Sequence, residues 1–248
     1  MFRKSSFFVL IGTLLFAFLL ILLVFVFARF PQNPLFSSAA EQSVTSQRVT
    51  SASTVILDAG HGGVDSGAVS ILDTEEKHIN LAVTKKLGEF LKEAGFQVLY
   101  TRTDDTLLTS SQTTSRKMGD LLGRVEFASS HPEGVFVSIH MNTLPDEKYK
   151  GLQVFYSPNA SGSKVLANQI QNDAKILLQP ENNRKTKEAG SSIYILERIR
   201  QDAVLVECGF LSNREEAERL EQEEYQRQLA FSLSRSLITY LMQKENLE

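Results

Sequence analysis

The 248-residue chain has a single cysteine, Cys208, so it can form no internal disulfide, and its cysteine usage leaves the redox compartment open. It also lacks a basic cluster. With 26 Lys+Arg against 29 Asp+Glu and a formal charge of −3, nothing offers a footprint for a phosphate backbone, which removes nucleic acid from the expected partners. No internal repeat is present. The 42% hydrophobic and 9% aromatic content is that of a globular chain and excludes collagen-like, mucin-like and wholly disordered classes. Histidine is scarce enough, at four residues, that each can be weighed by its own context.

One stretch lacks charge altogether. From Ser5 to Ala28 the chain is mostly Phe, Leu, Val and Ile. About 20 apolar residues span a hydrocarbon core, whereas a cleaved signal usually carries an apolar core of about 7–15. Residues 1–30 are therefore expected to form a retained transmembrane signal-anchor, with cleavage near Ser37-Ser38-Ala39-Ala40 as the alternative. Arg3 and Lys4 precede the run, which predicts the N-terminus inside and the rest exported. Without residues 1–28 the formal charge of −3 becomes −5, a mildly acidic exported part. Residues 31–53, rich in Ser, Thr, Gln and Ala, read as a flexible tether with an end-to-end distance of about 25 Å.

Residues 54–248 alternate short apolar runs with amphipathic stretches, the pattern of one α/β domain. Strands are expected at Val55–Leu57, Phe96–Thr101, Val135–Ile139, Leu152–Tyr156, Ser192–Leu196 and Ala203–Val206. Helical stripes run through Ile79, Val83, Leu87, Phe90 and Ala94, closed by Gly95; through Leu166, Ile170, Ala174 and Leu177; and through Leu229, Leu233, Leu237 and Leu241. Residues 104–120, polar and hydroxyl-rich, read as a long surface loop.

Chemistry-bearing residues gather where strands end. His61 follows the strand in VILDAGHGG, and its glycine neighbours allow a sharp turn and close approach to a ligand. His140 ends VFVSIHMN in the same way, and strand C-termini are where open α/β sheets place their sites. His78, inside the first helix, and His131, before Pro132, lack that context. Two imidazoles suit Zn²⁺, whose catalytic sites commonly add a carboxylate. Glu75 and Glu76 both open the first helix and periodicity does not choose between them; Asp58 and Asp65 are further rivals. Glu207 follows an apolar run where burial is costly unless the carboxylate is paired, metal-bound or protonated, which makes it a candidate general base. Cys208 has no adjacent base or helix N-terminus to activate it and reads as a small buried residue.

The ordered blocks GHGGVDSGA, EKHINLAV, TRTDD, VSIHMN, GLQVFYS and VLVECGFLSN resemble the zinc-dependent N-acetylmuramoyl-L-alanine amidases that cleave peptidoglycan, over nearly all of residues 54–242. The resemblance implies a single three-layer α/β domain whose mixed, twisted sheet is flanked by helices. By position it assigns His61, Glu76 and His140 as ligands of one Zn²⁺ and Glu207 as the catalytic carboxylate, so that Glu76 rather than Glu75 is the expected ligand. It also matches Arg124, in LLGRVEFAS, to an arginine on the helix before the second histidine.

The branch that the resemblance favours comprises the germination-specific amidases of spore-forming bacteria, which prepare cortex peptidoglycan for a downstream deacetylase and muramic δ-lactam formation. A general wall amidase in cell separation, a zinc carboxypeptidase or deacetylase, and a non-enzymatic wall-binding module are the alternatives. The expected place of action is the outer face of the cytoplasmic membrane, or the space between forespore and mother-cell membranes, with an accessory activator as a candidate partner. Asn142, Arg184, Lys187 and the backbone of the glycine-rich turn are candidate substrate contacts, the two cations as partners for peptide carboxylates.

Overall fold

The structure, a computed structural model, describes residues 53–246; the expected anchor at 1–30 and nearly all of the tether at 31–53 lie outside the described residues. Among the described residues no helix is long and apolar enough to cross a membrane. The elements run β1 (Thr54–Ala59), α1 (Glu76–Glu93), β2 (Gln97–Tyr100), α2 (Arg116–Ser129), β3 (Val135–Asn142), β4 (Gln153–Tyr156), α3 (Ser161–Leu177), β5 (Lys187–Glu188), α4 (Tyr194–Arg198), β6 (Ala203–Phe210), α5 (Arg214–Leu220) and α6 (Glu223–Glu245).

Six strands form one sheet in the order β2-β1-β3-β6-β4-β5. Strands β2, β1, β3 and β6 pair in parallel, whereas β4 runs antiparallel to β6 and β5 joins β4 in parallel. The sheet is mixed and flanked by helices, as expected. Alternation along each strand splits the core in two. Val55, Leu57, Val137, Ile139, Val204 and Val206 face the cluster that includes the buried stripes of α1, α3 and α6. Ile56, Phe136, Ala203 and Leu205 face a smaller cluster with Ala128 of α2 and Ile195 and Leu196 of α4.

Several local expectations are corrected. Ser192–Leu196 is not a strand; it leads into helix α4, and the sheet edge there is the two-residue β5. Ile195, Leu196 and Ile199 lie at i, i+1 and i+4, which lets one helical face bury all three, and a short apolar run carries no period that separates the two states. The loop expected at 104–120 stops earlier, because Ser115 caps α2 by accepting the Met118 N–H and the helix begins at Arg116. Strands β3 and β6 are also longer than expected, so His140 and Glu207 lie inside them and are register partners.

Candidate metal centre

Strands β1, β3 and β6 deliver their C-terminal ends to one edge of the sheet. His61 follows β1 with φ of 61°, a left-handed backbone that a non-glycine residue adopts at a cost of about 1–3 kcal/mol. Two buried guanidinium groups hold it there. Arg102 donates to the carbonyls of Ala59 (2.8 Å), Gly60 (2.9 Å) and Lys77 (2.9 Å). Arg124 donates to the carbonyls of Ala59 (2.9 Å) and His61 (2.8 Å). Arg124 is itself fixed by Asp120 at 2.8 Å and by a close ion pair with the fully buried Asp58. Gly60 has no side chain because a Cβ there would collide with the His140 ring.

Glu76 opens α1, where the positive end of the helix dipole favours a carboxylate. It is buried, and it accepts from the Ala68 N–H (2.9 Å), the Met141 N–H (3.0 Å) and the Asn80 amide (3.1 Å). Its Oε2 lies 3.2 Å from His61 Nε2 and its Oε1 lies 3.0 Å from His140 Nδ1. The two imidazoles meet edge to face with centroids 4.9 Å apart. One ligand atom from each of His61, Glu76 and His140 lies within 4.8 Å of the others. Tetrahedral Zn–N and Zn–O bonds near 2.0–2.1 Å place ligand atoms about 3.3 Å apart, close to the 3.2 Å and 3.0 Å that separate Glu76 from the two imidazoles. On the far side of the His61 ring, Asp65 lies 2.9 Å from Nδ1, an outer carboxylate that orients the ring and sets its tautomer.

The remaining carboxylate is Glu207, half-buried on β6 opposite His140. Its Oε2 is buried and has no hydrogen-bond partner. Burial pushes the Glu207 carboxyl up to about 7; the charges of His140 and His61 oppose this and that of Glu76 adds to it. Burial would lower His61, but its bonds to Glu76 and Asp65 raise it to about 9. Burial likewise raises Glu76, and the two histidines outweigh it and hold the carboxyl well below the usual range. A metal takes neutral imidazole, so binding here displaces protons.

The rival ligands fall elsewhere. Glu75 contacts Lys77 (3.2 Å) and His78 (3.3 Å) at the surface. Asp58 is spent on Arg124, Thr101 and Ser138, and Asp65 stands behind His61. His131 bonds to the Phe127 carbonyl at 2.9 Å, and Cys208 is fully buried with its thiol pushed up by that burial. Of the expected substrate contacts, Asn142 ends β3 opposite Phe210, and Arg184 reaches Gln153, the register partner of Glu207. Lys187 is not brought to the site; it is exposed on β5, two strands from β6. Sequence reasoning gave no role to Asn80, Arg102 or Gln153. For Arg102 a signal existed in the TRTDD block.

An open α/β sheet with two histidines, a buried glutamate and an unpaired second carboxylate at its C-terminal edge defines a hydrolase class of site. The family described as N-acetylmuramoyl-L-alanine amidase matches residues 55–239, and the chain belongs to that family and is an amidase of this specificity. It is 33% identical over 195 residues to the germination-specific N-acetylmuramoyl-L-alanine amidase of Bacillus subtilis, covering 77% of this chain and 80% of that one. The CwlD amidase of Clostridioides difficile, solved in complex with the GerS lipoprotein, superposes with a TM-score of 0.72 at 40% identity, over 77% of this chain and 98% of that one. The amidase AmiC2 of Nostoc punctiforme gives a TM-score of 0.68 at 31% identity, over 77% and 98% of the two chains.

Proposed function

We propose that the chain is a zinc-dependent amidase that hydrolyses the bond between the lactyl group of N-acetylmuramic acid and L-alanine, with His61, Glu76 and His140 as metal ligands and Glu207 as the proton carrier. The observation that carries this is the unpaired, buried Oε2 of Glu207 beside the His61–Glu76–His140 trio. When bound, zinc supplies Lewis-acid chemistry, bringing the pKa of a bound water towards about 7 and polarising a carbonyl oxygen. Glu207 takes the proton of the attacking water and returns it to the departing amine of L-alanine. Asp65 keeps His61 in the tautomer with its proton on Nδ1. The hydrogen bonds to Glu76 hold its carboxylate against rotation, and Arg102 and Arg124 hold the turn that presents His61.

The cellular reading follows the relatives. We place the enzyme in maturation of spore-cortex peptidoglycan, ahead of a deacetylase, held by residues 1–30 on the outer membrane face with 31–53 as tether and 54–248 as catalytic domain. The likeness to an amidase solved with a lipoprotein supports an accessory protein of that kind here. The test is digestion of purified peptidoglycan by the full chain in detergent micelles, with and without zinc, and products read by mass spectrometry. Peptide-free glycan and stem peptides beginning at L-alanine are expected. His140→Ala should lose both zinc and cleavage. Zinc retained by that variant would remove His140 from the ligand set, and a cortex with normal muramic δ-lactam in cells lacking the gene would overturn the spore role.

A further inference from the structure

A cleft of about 280 Å³ opens at the same sheet edge as Glu207, lined by Lys148, Tyr149, Lys150, Glu181, Arg184 and Glu216 among others. It lies where the segment before β4 rises to meet β6, since Gln153 begins β4 and is the register partner of Glu207. Arg184 is built into this cleft. Its Nε donates to the Lys150 carbonyl at 2.7 Å and its Nη1 to Gln153 Oε1 at 3.3 Å, and its guanidinium carbon sits 4.4 Å from the centroid of the buried Phe210 ring. All three partners are neutral. Among the described residues Arg184 and Lys150 form no ion pair, while Lys148 is paired with Asp146 at 2.7 Å.

The acidic groups of the cleft do not neutralise that cation at contact. Glu216 spends its carboxylate on the N–H groups of Gly151 (3.0 Å) and Phe210 (2.8 Å) and lies 3.8 Å from Arg219. Glu181 is exposed. A guanidinium is a rigid fork of five donors suited to carboxylate, and this one is fixed in place with one arm, Nη2, uncommitted. One side chain, Gln153, separates it from Glu207. Cross-strand Cβ atoms lie about 5 Å apart, so a guanidinium one hydrogen bond beyond Gln153 is within reach of a few residues of extended peptide.

We propose that this cleft is a specificity subsite for a carboxylate borne within the first three residues of the peptide released, held by Arg184 with Lys150 as its companion. The proposal rests on the reading of Glu207 as the proton carrier and goes beyond it by giving the enzyme a preference for charge on the leaving side. Lys187, two strands out on the sheet edge, takes no part.

The test uses a pair of synthetic muramoyl tripeptides that differ in whether the α-carboxyl of the second residue is free or amidated, with the full-length zinc-loaded enzyme. Wild type is expected to favour the free acid about tenfold in kcat/KM, the scale of one charge-assisted hydrogen bond. Arg184→Gln should abolish that preference by raising KM for the free acid about tenfold more than for the amidated substrate, with an unchanged circular-dichroism spectrum and melting midpoint as the report of an intact fold. Arg184→Lys should restore part of the preference, and Lys150→Gln should lower it less. Equal hydrolysis of the two substrates by wild type, or a preference that survives Arg184→Gln, overturns the subsite. Cleavage retained at the wild-type rate by Glu207→Gln overturns the Glu207 reading and the subsite argued from it, an outcome distinct from cleavage without charge preference.

Discussion

Asp58 and His61 are separated by two residues, yet the clusters built on them are opposites. Asp58 is fully buried and satisfied on both oxygens: Oδ1 accepts from Thr101 (2.6 Å) and pairs closely with Arg124, and Oδ2 accepts from Ser138 (2.6 Å). Arg124 in turn spends its remaining donors on Asp120 and on the Ala59 and His61 carbonyls. The His61–Glu76–His140 cluster, one turn of chain away, ends instead at a buried carboxylate oxygen with no partner. The closed network leaves nothing for a ligand and serves as a mount. The open one keeps donor atoms facing one another at contact distance, an arrangement that is costly unless something outside the chain completes it.

The sharpest way to break this contrast is to neutralise one carboxylate in each cluster and read activity and stability together. Glu207→Gln should lower kcat by about 10² to 10⁴ with zinc stoichiometry unchanged, as loss of a general base does. Its stability should hold or rise, because it removes a buried carboxylate that burial already disfavours. Metal analysis, kinetics and a denaturant titration of the same sample decide it; loss of zinc would make Glu207 a ligand. Arg124→Ala should do the reverse and destabilise by about 3–5 kcal/mol, since it strands Asp58 and Asp120 in the interior. A denaturation midpoint equal to wild type would show that the mount is dispensable.

A smaller effect tests the boundary between the clusters. Asp65→Asn leaves the three proposed ligands in place but weakens the acceptor behind His61 Nδ1. Zinc affinity, measured by competition with a chelator, should fall about 10- to 100-fold. An unchanged affinity would mean that Asp65 does not orient the ring.

The open cluster was the more legible of the two in the sequence. Glycines around His61, a histidine closing an apolar run and a glutamate after another are local signals, and each follows from strand-end geometry. What the residues alone left open was Glu75 against Glu76, because both open α1 and the deciding facts are distant: the amides of Ala68 and Met141 that hold Glu76 come from other segments. The closed cluster was nearly silent, since Asp58, Thr101, Asp120, Arg124 and Ser138 meet only through the parallel pairing of β1 with β2 and β3 and the packing of α2. The same limit explains α4, whose five residues offered apolar content but too little length to show a helical period.

Acid titration gives the mildest separation of the clusters. Burial alone would raise the Asp58 carboxyl, but Arg124 and the Ser138 and Thr101 hydroxyls outweigh it, so the folded value lies below the usual one. A carboxylate with a depressed folded pKa stabilises the fold fully above its unfolded pKa of about 3.9, and that contribution is lost as pH falls through the folded value. Asp58→Asn should therefore be less stable than wild type at pH 7, by about 1–3 kcal/mol for a buried hydrogen-bonded charge left without its partner. The gap should narrow as pH drops below about 4, where the carboxyl is protonated in the unfolded chain but still ionised in the fold, and level off below the folded value. Denaturant midpoints of the two proteins across pH 2.5–7 would show the convergence. Parallel curves would mean that the Asp58 carboxyl has the same pKa folded and unfolded, and that the acid sensitivity of the fold lies in other carboxylates.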